Sequence, residues 1–537
     1  MTSTSWPILA SVLLHLFHHS RAGNVLMLPN PFVVSHQRLF YKLAEDLLDR
    51  GHQITVLRWA QNNGTRLGAI DTPRRSRVIN LDGTAAQDEH QIWIQETIDR
   101  ILWKDTDSYG DYLEFMARGQ LYVTRPCYDL DRQPEALELL ARRRFQLAIV
   151  DPHAYPCAWM LANKLGVPYV TLTPSIPVYY IDKASSAPTP FSYVPCINNG
   201  HFDVMNTWER TVNTLDHLVF SSSAYFFLTA QQIARASRLF KDHLHKPLMV
   251  MFLDHRHLAS PRPYSNTHIS MGIKPRIRQP ISDEVSRFAG DCFSNGTIIF
   301  SLTTLGKKER MSSQMRETFL EAFKGFPNYR IIWRTAIAPS NLSRSDHIHY
   351  TKWFNQTNLF GDPKTKLLIT HGGISSVLEA VRHGVPMLAM PLGMDHYGNI
   401  ARVVQKGIGR RFTKYELTVE RLRAMLADML GNGGRYARRA QKFASMLDGE
   451  AENLEENPML WWTEYALRHG RKLDRIKPRG ESFGLAVYFQ LDLLLMALAA
   501  LMAALLLVGH SGGREMEEVA RTSCGAIGGD SRVRTRG

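Results

Sequence analysis

The stretch from residue 366 to 411, KLLITHGGISSVLEAVRHGVPMLAMPLGMDHYGNIARVVQKGIGRR, decides the reading of this chain. An apolar run of strand character ends at His371-Gly372-Gly373, and apolar residues then recur at helical spacing as far as His383-Gly384. A second apolar run, VPMLAM, ends just ahead of Asp395 and His396. Both crossings deliver polar side chains to the carboxyl end of a buried strand, where open parallel sheets bind ligands. Glycines allow a backbone to approach a ligand closely, and the free amides of a helix start attract an anion such as a diphosphate. Glu379, one turn beyond Ser375, comes within reach of a ribose hydroxyl. A glycine-bearing turn around a satisfied histidine would leave the same trace, so the neighbouring segments have to decide.

The preceding segment, WFNQTNLFGDPK, supplies Trp353, a flat surface for stacking on a base, and Gln356, an amide able to bond the base edge. Base, phosphate and sugar contacts thus follow one another along the chain, and their common order points to a nucleotide-sugar site.

Working outward, GNVLMLPNP reads as a buried strand, RLFYKLAEDLLDRG as an amphipathic helix ended by Gly51, and QITVL as a second strand. The same βαβ grammar returns at 145–150, where a strand ends in Asp151-Pro152 ahead of a helix and the strand VPYVTL. These elements make an N-terminal α/β domain over residues 23–260. Pro, Gly and polar residues concentrate at 260–280 and mark a domain crossover. TIIFSL, YRIIW and the two strands of the opening stretch then build a second doubly wound domain, residues 281–460.

His36 lies beyond the first strand and ahead of the first long helix, and Asp151 occupies the corresponding edge after another strand. Both can face the crevice of an open sheet. A neutral imidazole at His36 can accept a hydroxyl proton while Asp151 orients it and stabilises its charged form. Helix capping by each residue is the plain alternative. Walker A and H-E-x-x-H patterns are missing, and histidine spacing suggests no metal site. The DHRH cluster at 254–257 reads as a solvated loop.

Lys and Arg number 64 against 50 Asp and Glu, a net charge of +14, but they are scattered without a basic block, which argues against nucleic acid. Residues 1–22 carry a short apolar run before small residues, the pattern of a secretory signal. Asn63, Asn295, Asn341 and Asn355 head Asn-x-Ser/Thr sites. Residues 483–508 are apolar apart from Gln490 and Asp492, long enough for a bilayer-spanning helix of roughly 20 residues. Basic residues crowd the N-terminal side of this run, which alone would favour the cytoplasm there. A cleaved signal requires the opposite: both domains lumenal, with 509–537 as a cytoplasmic tail.

The segments SHQRLFYKLAEDLLDRGHQITVL, AIVDPHAYPC, IIFSL, WFNQTNLFGDPK and ITHGGISSVLEAVRHGVPMLAMPLGMDH together closely resemble the UDP-glycosyltransferase family that includes the UDP-glucuronosyltransferases. The resemblance implies a GT-B architecture of two facing Rossmann-like domains with a C-terminal transmembrane helix. It implies His36 as catalytic base and Asp151 as its support. Trp353, Gln356 and Glu379 then hold the uridine, Ser301, His371, Gly373 and Ser376 the diphosphate, and Asp395 and His396 the sugar. No cofactor is expected beyond the UDP-sugar co-substrate. The expected partners are that donor, a small hydrophobic acceptor and the endoplasmic reticulum membrane, and self-association is left open.

Departures are informative. Asn355 replaces the Pro of the family's WxPQ, Thr303 occupies a usual Gly, and Ser375 falls where many members carry Asn. His396 stands where glucuronosyltransferases carry Gln, and DHY resembles the ceramide galactosyltransferase branch. The first expectation is transfer of glucuronic acid to a lipophilic hydroxyl. Galactose or glucose transfer to a lipid is the second, and a non-catalytic UDP-sugar or sterol-binding membrane protein the third.

Overall fold

The computed structural model describes residues 22–30, 33–59, 71–81, 96–97, 99–100, 103, 133–153, 156–176, 182, 187–218, 246–254, 258, 262–272, 284–302, 311–335, 345–431, 434–451, 457–478, 487 and 490–527. The expected signal at 1–22, apart from its last residue, lies outside them, as do Asn63, Asn341, Thr303 and residues 528–537 of the tail.

The N-terminal lobe begins with β1 (Asn24–Leu28), α1 (Val34–Asp49), β2 (Gln53–Trp59) and β3 (Arg77–Leu81). It continues through α2 (Pro134–Arg142), β4 (Leu147–Val150), α3 (Pro156–Lys164), β5 (Tyr169–Thr173), β6 (Val250–Phe252) and β7 (His268–Ser270). The seven strands are parallel, in the order β3-β2-β1-β4-β5-β6-β7. Every residue of β4, β5 and β6 is buried, as expected where helices cover both faces of a parallel sheet. The last strand comes from the stretch read as a crossover: Ile269 alone of β7 is buried, and this brief apolar signal is hidden among prolines and glycines.

The second lobe contains α4 (Glu284–Ala289), β8 (Thr297–Ser301), α5 (Ser313–Lys324), β9 (Arg330–Arg334), β10 (Ile348–Thr351) and α6 (Gln356–Gly361). It proceeds through β11 (Thr365–Thr370), α7 (Ile374–His383), β12 (Met387–Ala389), α8 (His396–Gln405), β13 (Gly409–Arg411), α9 (Val419–Leu430) and α10 (Arg435–Ala451). Its parallel sheet runs β10-β9-β8-β11-β12-β13. On one face Phe300 meets Phe319 at 4.5 Å and Trp333 at 4.9 Å between ring centroids. Truncating such a buried ring to alanine costs about 3–5 kcal/mol, so this cluster anchors the strand that carries Ser301.

The chain then returns. In α11 (Pro458–His469), Met459, Leu460 and Ala466 bury themselves against Phe40, Leu43 and Leu47 of α1. Asn457 Nδ2 donates to Asp46 Oδ2 at 2.8 Å, and His52 Nε2 lies 3.3 Å from Glu464 Oε1. The returning helix thus packs on the back of the helix that bears His36.

Strand order reverses between β1 and β4 in one sheet and between β8 and β11 in the other. Ligands bind open α/β sheets outside the strand carboxyl ends at these reversals. His36 and Asp151 flank the first reversal; Ser301 and His371 flank the second. Residues 478–537 form a separate unit, in which α12 (Leu491–Ile527) is a continuous helix. Among the described residues no helix is long and apolar enough to cross a membrane.

Candidate active site

His36 occupies the first turn of α1, whose N-cap, Val33, has no capping side chain. Its ring serves instead as a partner for Asp151: Nδ1 lies 2.6 Å from Oδ2, with side chains 13% and 0% exposed. The second carboxylate oxygen accepts from the His153 backbone N–H at 2.8 Å, so Asp151 is committed at both oxygens rather than capping α3. Strand β4 sets its position, since the Asp151 N–H donates to Leu28 O of β1.

His153 adds a second ring beside the dyad, edge-on to His36 with centroids 5.7 Å apart. Its Nε2 lies 3.0 Å from Ser175 Oγ, which meets Thr173 Oγ1 at 3.0 Å. Burial pushes the His153 pKa down to about 4 against the opposing pull of the Asp151 carboxylate, so this ring is neutral near pH 7 and does not compete with His36 for a proton.

Across the cleft, Gly372 adopts φ +93°, where a Cβ would fall 2.5 Å from Ile400 Cγ1. The turn therefore requires glycine. A Cβ on Gly373 would lie 2.8 Å from His371 Nε2, so the His371 ring lies close against the start of α7, whose first turn no side chain caps. Free amides and the positive end of this ten-residue helix make a seat for an anion. Burial drives the His371 pKa well below its usual value, and a hydrogen bond to the Ser301 backbone ties the two reversal-point residues together.

Trp353 is 62% exposed although large and aromatic, which leaves its face free to stack. Nearby, Gln356 Nε2 donates to Ser376 Oγ at 3.1 Å and to Glu379 Oε2 at 2.8 Å. Ser376, read from sequence as a phosphate contact, thus bonds Gln356 here. Burial raises the Glu379 pKa, while the Gln356 amide and the charge of Arg38 pull it back. Asn355, standing where the family usually has Pro, caps α6: its Oδ1 accepts from the Asn358 N–H at 3.2 Å. A capping Pro could not do this.

Asp395 and His396 begin α8. Asp395 Oδ2 accepts from Asn399 Nδ2 at 2.8 Å. The His396 ring meets His371 edge-on at 4.6 Å, and burial lowers its pKa to about 4. Its Nδ1 is buried without a hydrogen-bond partner among the described residues.

His36 and Asp151 thus lie at the first reversal and Ser301, His371, Gly373 and Ser376 at the second, whereas Trp353 and Gln356 follow β10 and Asp395 and His396 follow β12; His36 contacts Asp151, and Gln356 contacts both Ser376 and Glu379. The sequence reading missed Arg334, Arg38, His153 and Asn399. Arg334 ends β9 half-buried, with Nη1 3.4 Å from Ser301 Oγ and Nε buried and unpartnered among the described residues. Burial and the nearby Arg38 guanidinium lower its pKa, the signature of a cation lacking an anion. A charge closing the apolar run IIW was the available signal. Asp254 corrects the solvated-loop reading: it is buried and ion-paired to Arg402. The error arose because a short charged cluster looks alike whether water or a second lobe receives it.

The family model for UDP-glucoronosyl and UDP-glucosyl transferase matches residues 23–524. Human UDP-glucuronosyltransferase 1A3 is 26% identical over 511 residues, 91% of each chain. Human 2-hydroxyacylsphingosine 1-beta-galactosyltransferase is 25% identical over 499 residues, 91% of this chain and 88% of that protein. The solved structure of Phytolacca americana UGT2 complexed with UDP-2fluoro-glucose and pterostilbene superposes with a TM-score of 0.54 at 15% identity, covering 83% of this chain and 99% of that one. Two reversal-point sheets in one GT-B fold and a family match along nearly the whole sequence lead to one conclusion: this chain belongs to the UDP-glucuronosyl and UDP-glucosyl transferase family and is a UDP-glycosyltransferase.

Proposed function

We propose that this protein moves an uncharged hexose, galactose or glucose, from its UDP conjugate to a hydroxyl of a small lipophilic acceptor, in one displacement that inverts the anomeric centre. The observation that carries this reading is the 2.6 Å contact between His36 Nδ1 and Asp151 Oδ2. With Nδ1 given to the carboxylate, the neutral ring keeps its proton there and turns the Nε2 lone pair to the acceptor. His36 takes the hydroxyl proton as the acceptor oxygen bonds to the anomeric carbon. The bond from that carbon to the β-phosphate oxygen breaks, and its electron pair leaves with UDP. Asp151 stabilises the imidazolium, while the amides of α7 and the guanidinium of Arg334 receive the charge growing on the phosphate.

Trp353 stacks on the uracil, Gln356 reaches its edge or the ribose, and Glu379 accepts from ribose hydroxyls. Ser301, His371, Gly373 and Ser376 surround the diphosphate. Replacing Glu379 by alanine is expected to raise the donor KM by roughly 10- to 100-fold, the scale of a charge-assisted hydrogen bond. The Ki of UDP should rise in parallel, because UDP also carries the ribose; an unchanged Ki would remove Glu379 from this role.

Asp395 and His396 meet the hexose, and His396 favours an uncharged one over glucuronic acid. A glucuronate carboxylate there would be buried beside a neutral imidazole and a second carboxylate, which is costly. A UDP-release assay on the membrane-expressed full chain, crossing UDP-galactose, UDP-glucose and UDP-glucuronate with lipophilic alcohols, phenols and ceramides, tests the whole reading. Turnover with UDP-glucuronate equal to or above the others would overturn the sugar assignment, and no release with any pair would overturn the function.

His396→Gln separates sugar choice from stability. An unfolded His takes up its proton near pH 6.5, but the folded ring only at about 4. Its stabilising contribution is therefore complete above pH 6.5 and lost as pH falls towards 4, in total about 3 kcal/mol. The glutamine variant should show a shallower fall of Tm between pH 6.5 and 4.5 and a shift towards UDP-glucuronate. Parallel curves for variant and parent would count against the buried, neutral ring.

We place the catalytic lobes in the lumen of the endoplasmic reticulum, with residues 1–22 removed, 483–508 spanning the membrane and 509–537 cytosolic. In the first part of α12, Leu494, Leu495, Met496, Leu501, Leu505 and Leu506 are all exposed, and such an exposed apolar stretch finds favourable surroundings in lipid. Such an anchor would keep the cleft near acceptors that partition into the bilayer.

A further inference from the structure

Helix α8 begins with the sugar-facing carboxylate and carries, further along the same face, a cation aimed at the other lobe. Asp395, Asn399 and Arg402 share that face by their spacing of four and three residues. Arg402 Nη1 lies 2.9 Å from Asp254 Oδ1, and these side chains are 4% and 2% exposed. Asp254 lies two residues past β6, in the N-terminal lobe. Arg402 Nη2 donates to Asn399 Oδ1 at 2.8 Å. Asn399 Nδ2 then donates to Asp395 Oδ2 at 2.8 Å and to Gly372 O at 3.0 Å.

The Asn399 amide has one workable orientation in this chain. Its oxygen must face the guanidinium and its NH2 the two oxygens, since a flip would set donor against donor and acceptor against acceptor. The ion pair at the far end is just as constrained. A buried carboxylate and guanidinium need each other, and separating the lobes would take this partner from both. A second loop of the N-terminal lobe also meets α8: the Gly398 N–H donates to Ile197 O at 3.0 Å, and a Cβ at Gly398 would come within 2.8 Å of that oxygen. Arg411, just beyond, donates to Gly200 O at 2.8 Å.

We infer that Asn399 and Arg402 are positioning residues that couple the Asp395 carboxylate to the seating of the two lobes through Asp254. Only a correctly seated N-terminal lobe pins Arg402, Arg402 pins the Asn399 amide, and that amide holds both Asp395 and the glycine turn at the anion seat. Sugar recognition and the approach of His36 to the anomeric carbon are thereby linked. The inference rests on Asp395 being a sugar contact, as proposed above.

The test uses the full membrane-bound enzyme with its best UDP-hexose. Asp254→Asn keeps shape and removes the charge; Arg402→Lys keeps charge and loses the fork, and carries the same test if the first variant does not fold. Each should raise the KM for UDP-hexose roughly tenfold, the scale of coupling within one hydrogen-bond network. The Ki of UDP, which senses the glycine turn but carries no hexose, should rise by a clearly smaller factor than the KM. Asp254→Asn added to Asp395→Asn should cost little beyond Asp395→Asn alone. Equal changes in KM and Ki, fully additive losses, or a KM like the parent's in a folded variant would each overturn the coupling. A parent that turns over no UDP-hexose would instead overturn the proposed function.

Discussion

Replacing His36 by alanine is expected to lower kcat by roughly a hundred- to ten-thousandfold, the range that a positioned general base contributes. The ring is 13% exposed and contacts the cleft rather than the core, so the loss should appear as rate and not as unfolding. Donor affinity should hardly move, because the proposed nucleotide contacts lie on the other lobe. Single-turnover transfer at saturating donor, with Tm and UDP Ki measured alongside, separates these effects. A variant within tenfold of the parent would remove His36 from the chemistry and leave a donor-binding protein that activates its acceptor in some other way.

Asp151→Asn should be nearly as damaging, by roughly a thousandfold in kcat, through the tautomer of His36 rather than through its absence. The native carboxylate accepts twice, from His36 Nδ1 and from the His153 backbone N–H. An asparagine can accept only once at that pair of positions. If its oxygen keeps the fixed backbone donor, its NH2 faces Nδ1, and the imidazole must carry its proton on Nε2. That proton then points at the acceptor hydroxyl, where a lone pair is needed. The variant preserves volume and leaves no bare buried charge, so a folded but slow enzyme is the expected outcome. Activity close to the parent's would mean that Asp151 supports the fold without setting the ring.

Much of this site was legible because its signals are local. A strand followed by a glycine turn and a helix places its turn residues at a sheet edge whatever the rest of the chain does, which is why His371, Gly373, Asp395 and His396 could be named from spacing. Trp353 and Gln356 belong to the same class, since loop and helix start lie within a few residues. Lobe boundaries were harder. β7 presents only Ile269 to the core, and α11 leaves the second lobe to pack on α1, a choice made by complementary surfaces far apart in sequence. Arg334 shows a third case: an arginine ending a strand is unremarkable until partial burial sets it near the Arg38 guanidinium with no carboxylate partner among the described residues.

The sequence by itself determined the two parallel α/β lobes, the order along the chain of the residues proposed to meet base, phosphate and sugar, and their residue types, because hydrophobic period and turn chemistry act over a few residues. Tertiary structure alone decided which groups touch. His36 and Asp151 are 115 residues apart and Asp254 and Arg402 are 148 apart, and only the strand order of each sheet and the seating of one lobe on the other bring them within hydrogen-bonding distance. The physical reason is burial: a carboxylate removed from water must find its partner in space, and the chain's topology settles which partner arrives.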